Sequence, residues 1–194
     1  MDDKRFAMVC ASNVNRSVAA HEALVKNSFS NVFSYGTGSA VRMPGPRGAS
    51  VYDFGTPYQR MFDELSAEDW HFFTRSGVLA MLERDAAVKL FPQKWQNEKT
   101  AHIASLDVIL CFEDRVFDAV VEGSTLIMAT VIQIFNDYEQ PSFCIDIQTR
   151  GARDFKPVHV ICLSVRDSPE DAVLGANLAL NLCSEVLLNA YVYF

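Results

Sequence analysis

The sequence predicts an α/β fold, a doubly wound and mostly parallel sheet flanked by helices. Three observations predict it. Short runs rich in Val, Ile and Phe recur at 5–9, 32–35, 107–112 and 158–164, and such runs read as buried strands. The stretches between them are long enough for helical crossovers, which parallel neighbours require. The chain has 194 residues, the length of one domain with a sizeable core, so 1–194 is expected to fold as a unit.

The elements follow in order. The run at 5–9 opens the chain, and 17–26 reads as the first helix. After the second strand comes "GTGSAVRMPGPRG" (36–48), a Gly/Pro loop that fits neither a helix nor an inner strand. "FGTPYQRMFDEL" (54–65) opens a helix. Thr56 is placed to cap it, Pro57 suits its first turn, and Met61, Phe62 and Leu65 form its apolar stripe. A second helix is expected over 75–84, then an extended or looping stretch over 85–96 anchored by Trp95. Beyond the strand at 107–112 and a further helix lies an irregular segment, 123–145. It holds "TLIMATVIQIF", apolar and rich in β-formers, yet nothing around it asks for a strand there. Such a run is an aggregation hazard when exposed. The last strand leads to "RDSPEDA", where Ser168 is placed to cap a helix, Pro169 to start it, and Glu170 and Asp171 to fill its first turn.

Composition excludes several classes. The net charge of −7 comes with no basic block, which argues against direct nucleic-acid binding. No run reaches the roughly 18 apolar residues that span a bilayer, so no membrane partner is expected. The charged start "MDDKR" runs straight into a strand, without the pattern of a signal peptide, and the expected compartment is cytosol or nucleus. The five cysteines, Cys10, Cys111, Cys144, Cys162 and Cys183, are widely spaced with no C-x-x-C pair. Neither a zinc site nor a disulfide framework is expected, and no metal or cofactor is called for. Four of the five sit in apolar surroundings and read as small buried hydrophobes. Cys10 alone stands among turn residues.

That cysteine lies in "VCASNVNRS" (9–17), between the first strand and the first helix. Phosphoryl transfer to cysteine needs a thiolate, a cradle for three phosphate oxygens and a proton donor. A free thiol, of pKa ~8.5, is mostly protonated at neutral pH, and a helix N-terminus and an arginine can lower it to roughly 3.5–7.5. Here Cys10 would be the nucleophile. The backbone N–H groups of Ala11, Ser12, Asn13, Val14, Asn15 and Arg16 would form an anion nest before the helix. Arg16 would clamp two phosphate oxygens, Ser17 would donate to the thiolate, and Asn13 would brace the loop. On spacing alone, C-x5-R-[ST] is equally a turn with a stray cysteine. Its place before the first helix adds weight to the phosphate reading.

The leaving group needs an acid, and Asp167 is the candidate. It follows the last strand, and in open parallel sheets functional groups gather at the strands' carboxyl ends. Its other reading is a plain helix start, but Ser168 already serves as cap. His21, His71, His102 and His159 are scattered and read as structural or surface groups. Arg84, Lys89 and Lys94 read as a solvated face, and Asp53 as a turn cap.

Beyond the loop, "SYGTGSAVRMPGP", "VYDFGTPYQRMFDEL", "RSGVLAMLER", "LDVILCFEDRVFDAVVE" and "PVHVICLSVRDSPEDAVLGANLALNLC" together resemble the Ssu-type phosphatases of the RNA polymerase II C-terminal domain. The loop itself resembles that of the low-molecular-weight protein tyrosine phosphatases. The resemblance covers about 5–122 and 146–185. It implies a nuclear phosphoserine phosphatase, with the cytoplasm as a second compartment, acting before a cis-proline in the polymerase heptads. A cis X-Pro bond is a minority isomer that exchanges over tens of seconds, so recognition would select a small population. It also implies work in mRNA 3′-end processing on a symplekin-like scaffold. Carried over by position, Cys10, Arg16, Ser17 and Asp167 are catalytic. The loop Met43, Pro44, Gly45 and Pro46 and the helix over 77–82, with Leu79 and Met81, match the segments that form the peptide groove.

Three departures qualify the resemblance. Residues 123–145 have no counterpart and resemble translated intron sequence or a lineage-specific loop. The chain stops at "LLNAYVYF", where family members continue through another helical segment, so apolar surface is expected on the last helix or sheet edge. Ser164 stands where the family commonly has a second acid. Two rival readings follow: a catalytically impaired phosphopeptide- or scaffold-binding protein of this fold, and a thiol-based arsenate reductase, which would need a resolving cysteine such as Cys162 near Cys10.

Overall fold

The architecture rests on a computed structural model. It describes residues 4–122, 129–134, 145–146 and 158–188, with backbone alone for 129–134 and 145–146. Strand β1 (Phe6–Cys10) is buried at every residue and pairs in parallel with β2 (Val32–Gly36) on one side and β5 (Val108–Cys111) on the other. Strand β8 (Val158–Leu163) lies beyond β5, also parallel. The four expected strands are all present, each within one residue at either end.

The crossovers put helices on both faces. Helix α1 (Arg16–Lys26) and α6 (Pro169–Leu188) cover one face, sealing Phe6, Met8, Leu110, Phe112 and Ile161. On the other, α5 (Asp114–Glu122) lays Val116 and Val120 over Val9, Ile109, Cys111 and Val160. Successive strand residues face opposite sides, so Cys10 belongs to the α1 face. Cys162, which hydrogen-bonds the Asp114 carboxylate at 3.4 Å, belongs to the α5 face. The two cysteines stand on opposite faces with β5 between their strands, which removes Cys162 as a resolving thiol. Cys111 and Cys183 are buried as expected; Cys144 lies outside the described residues.

A third cluster forms a cap over the sheet's carboxyl edge. It packs Met43, Tyr58, Met61, Leu65, Phe73 and Leu79 around Val14. Its parts depart from expectation in four ways. The Gly/Pro loop holds a hairpin, β3 (Val41–Met43) antiparallel to β4 (Ser50–Tyr52), outside the main sheet. Helix α2 (Tyr58–Arg75) runs far past residue 65, with a break at Asp69. Thr56 does not cap it: Pro57 holds the cap position without a side-chain bond, and the Asp53 carbonyl, not its carboxylate, closes the preceding turn on the Thr56 N–H. Helix α3 (Val78–Val88) starts later than expected, after Gly77 at φ 77°, and consumes the first part of the expected loop. Trp95 is buried, as expected, against Tyr35. A short helix, α4 (Thr100–Ile103), precedes β5.

The segment at 123–145 also corrects the reading. Strand β6 (Ala129–Ile134) runs parallel to β8 over six residues, and β7 (Ile145–Asp146) pairs antiparallel outside it. The β-propensity of this run found a partner in the exposed edge of β8. The remainder, 123–128 and 135–144, and the chain end at 189–194 lie outside the described residues. On α6, Val173, Leu174 and Leu178 are exposed. No described helix is long and apolar enough to cross a membrane.

Candidate active site

Strand order places the site. From β1 the chain moves out to β2, then returns to β5 on the other side. The loops leaving β1 and β5 diverge there, and the crevice between them is where open α/β sheets bind ligands. Residues 11–15 form the turn from β1 into α1.

Cys10 ends β1 and is 3% exposed, at the bottom of that turn. The Ser17 hydroxyl lies 3.0 Å from its sulfur, and the Asn13 N–H donates to it at 3.2 Å. Asn13 makes this possible by adopting φ 52°, a left-handed conformation that asparagine tolerates better than most residues. Its side chain donates to Ser17 at 3.0 Å. The loop's outer wall needs glycine: a Cβ at Gly36 would sit 2.7 Å from the Ala11 carbonyl. The Gly38 N–H donates to that same carbonyl at 2.9 Å, and the Ser12 hydroxyl accepts the Arg42 N–H at 3.3 Å. No side chain caps the start of α1, so its first N–H groups keep their capacity for an anion.

Arg16 is the buried cation of the site. One terminal nitrogen donates to the Phe112 and Val165 carbonyls at 3.1 and 2.9 Å and to Glu113 at 3.0 Å. The other lies 3.4 Å from Asp167. Its Nε is buried with no partner among the described residues. Burial works against the guanidinium, but Cys10, Asp167 and Glu113 outweigh it and hold Arg16 above its ordinary pKa.

Asp167 stands free of the helix start, as the sequence implied. The Ser168 hydroxyl accepts the Asp171 N–H at 3.1 Å and so caps α6 itself. Asp167 accepts the Asn15 amide at 3.0 Å and stays 59% exposed. It lines a cleft of about 100 Å³ together with Cys10, Ser12, Val14 and Asn15. Met43, Pro44 and Met81 wall the same cleft with Gly77 and Val78, from the 77–82 segment that the resemblance gives to the groove, and Arg42 and Ser76 join them. Three expected groove residues are not in that wall. Gly45 and Pro46 belong to a turn closed by Gly48, and Leu79 is packed into the cap's core. Ser164, exposed at the end of β8, lines a second cavity behind Arg16 with Glu113 and Asp167.

The supposed solvated face is the rear brace of the loop. Arg84 donates to the Val14 and Asn15 carbonyls at 2.9 and 3.2 Å, and to buried Asp85 at 2.6 Å. Lys89 donates to the Asn13 side-chain oxygen at 3.2 Å and to the Ser34 carbonyl at 2.8 Å. Lys94 is half-buried with its ammonium over Phe54. Tyr58 donates to the Asn13 carbonyl. The histidines outside the loop are structural or surface groups: His21 meets Ser34, His102 meets Tyr35 and Arg5, and His71 is exposed. Burial, with Lys89 adding to it, lowers His21 to about 4.

The family model of Ssu72-like protein matches residues 4–191. The chain belongs to the Ssu72-like protein family. It is 39% identical to the RNA polymerase II C-terminal domain phosphatase SSU72 of Dictyostelium discoideum, over 94% of this chain and 75% of that one. It is 38% identical to the human protein of that name, over 92% and 79%. Its fold superposes on Drosophila melanogaster Ssu72 in complex with Symplekin and a cis peptidomimetic phosphoserine peptide of the CTD, with a TM-score of 0.75 at 32% identity, covering 95% of this chain and 82% of that one. The serine phosphatase of the polymerase C-terminal domain from the same fly gives a TM-score of 0.76 at 34% identity, covering 94% and 83%.

Proposed function

We propose that this Ssu72-like protein is a phosphoserine phosphatase of the RNA polymerase II C-terminal domain, working through a cysteinyl-phosphate intermediate. Its substrate is the phosphoserine that precedes a cis-proline in the heptads. It acts in the nucleus during mRNA 3′-end processing, on a symplekin-like scaffold. The relatives named above support the substrate and the scaffold. One observation carries the chemistry: the buried, partnerless Nε of Arg16 beside the Cys10 loop. An unpaired donor in so dry a place is costly, and a phosphate oxygen supplies the acceptor it lacks.

The steps follow from the residues. Phosphate enters the loop, held by first-turn N–H groups of α1 and by Arg16. The Cys10 thiolate, fixed by Ser17 and the Asn13 N–H, attacks phosphorus; an S–P bond forms as the serine O–P bond breaks. Asp167 gives its proton to the departing serine oxygen. A water then attacks the thiophosphate, Asp167 takes the water's proton, and the S–P bond breaks to release phosphate and the thiolate. Charge spread over the three phosphoryl oxygens in a loose transition state is stabilised by groups already in place.

The test is phosphate release from a heptad peptide phosphorylated at the serine before proline, beside Cys10→Ser. Release by the parent and none by the variant, which still binds phosphate, is expected. Equal release by both removes Cys10 as nucleophile. Silence from both with a folded protein favours the binding-protein reading.

A further inference from the structure

We propose that Lys89 is a positioning residue for the Cys10 nucleophile, acting through Asn13 and Ser17. This role deepens the phosphatase reading and rests on it for the part played by Cys10. Hydrogen-bond direction carries it. A lysine ammonium has three donors and no acceptor. Lys89 therefore selects the oxygen of the Asn13 carboxamide, at 3.2 Å, and the Gln93 N–H reinforces that choice at 2.9 Å. The other end of the amide must then be the nitrogen, and it donates to the Ser17 hydroxyl at 3.0 Å. With its oxygen occupied as an acceptor, Ser17 turns its only proton to the Cys10 sulfur, 3.0 Å away. Each link is directional. The sulfur receives a donor because two donors, the Lys89 ammonium and the Gln93 N–H, fix the far end of the chain.

Lys89 is itself fixed. It donates to the Ser34 carbonyl at 2.8 Å, which anchors it to β2. The charged and titratable groups facing it are Cys10, Asp85, Glu98, His21 and Tyr35, over whose ring the ammonium lies. Burial lowers its pKa to about 8, with Glu98, Asp85 and Cys10 opposing the fall. Its charge is therefore present where a phosphatase works at neutral pH and is lost under mildly alkaline conditions.

The test reads the thiol and the turnover separately. Iodoacetamide alkylation of Cys10, followed on its own peptide by mass spectrometry from about pH 6 to about pH 10, is compared in the parent, Lys89→Met and Lys89→Arg. In Lys89→Met, alkylation at the acid end slows about tenfold, one pH unit's worth, and meets the parent at the alkaline end. Its kcat on an aryl phosphate falls by a similar factor while KM stays within about twofold. Lys89→Arg, which keeps charge and donors, recovers most of both. Parental alkylation in folded Lys89→Met, or lost turnover with an unchanged alkylation profile, overturns the proposal. Should Lys89→Met not fold, Lys89→Gln, which keeps donors without the charge, takes its place in the same comparison, and a parental alkylation profile in that folded variant overturns the proposal. A parent without turnover, whose Lys89→Met profile still shifts, defeats the phosphatase reading alone.

Discussion

Replacing Asp167 with asparagine separates proton donation from geometry at this site. Asparagine keeps the size of the side chain and an oxygen for the Asn15 amide, which donates at 3.0 Å. It loses the ion pair to Arg16. That pair is long, 3.4 Å, and its carboxylate is 59% exposed, so water screens it. Pairs of this kind contribute about 0.2–1 kcal/mol, equivalent to a Tm change of no more than about 4 °C in a chain of this size. Phosphate affinity should also hold, because the loop and Arg16 are untouched. Turnover of phosphoserine should not. A serine alkoxide is a poor leaving group, and a positioned acid contributes about 10²–10⁴-fold. An aryl phosphate leaves with little protonation, so its kcat should fall less than about tenfold unless thiophosphate hydrolysis, which also uses Asp167, limits it; burst kinetics separates that case. The assay is kcat and KM on a phosphoserine heptad peptide and on an aryl phosphate, with inhibition by phosphate as the binding control. Equal losses on both substrates in a pre-steady-state burst would remove Asp167 from the role of acid.

Two further perturbations test the frame around the site. Gly36→Ala puts a methyl group 2.7 Å from the Ala11 carbonyl and 2.9 Å from the Asn13 nitrogen, both backbone atoms; overpacking should cost about 1–3 kcal/mol and lower kcat more than stability accounts for, and an active enzyme with parental Tm would contradict the close approach. Asp85 lies fully buried with one carboxylate oxygen unpartnered, and burial raises its pKa from 3.8 to about 8 despite Arg84. Its folded form holds a proton that the unfolded chain releases, so its contribution to stability is full below about pH 4 and lost as pH rises through about 8. Asp85→Asn removes that titration, and urea midpoints should favour the variant increasingly from pH 5 to 8; parallel curves would show that Asp85 stays charged in the fold.

The front of the site was legible because its residues are consecutive. Residues 10–17 place the proposed nucleophile, cradle, clamp and hydroxyl on one strand-turn-helix unit, and local rules suffice to read them. The freedom of Asp167 from the helix start was legible, since Ser168 and Pro169 already satisfy that start. The strands were legible because buried parallel strands are continuous apolar runs. What lay hidden depends on pairing over long separations. Arg84 and Lys89 brace the loop from about seventy positions away, and in sequence they look like any charged helix face. No local pattern tells a solvated lysine from one seated on a carbonyl. The same limit explains β6, whose strand character was plain but whose partner, β8, lies further along the chain.

The departures from the family pattern fall on opposite sides of the sheet's working edge. Strands β6 and β7 extend the sheet beyond β8, while the loop leaves β1, two strands inward. Among the described residues, the added strand β6 pairs with β8, whose four pairs with β5 are complete from Val108 to Cys111. The added strand is therefore compatible with the loop geometry. Ser164 differs, because it stands in the second cavity beside Arg16. With serine there, Glu113 and Asp167 are the carboxylates bonded to that cation. Glu113 takes the nitrogen already held by two carbonyls, and Asp167 the nitrogen nearer solvent. Demands on one guanidinium are thereby divided between two acids, and Nε is left for the proposed phosphate.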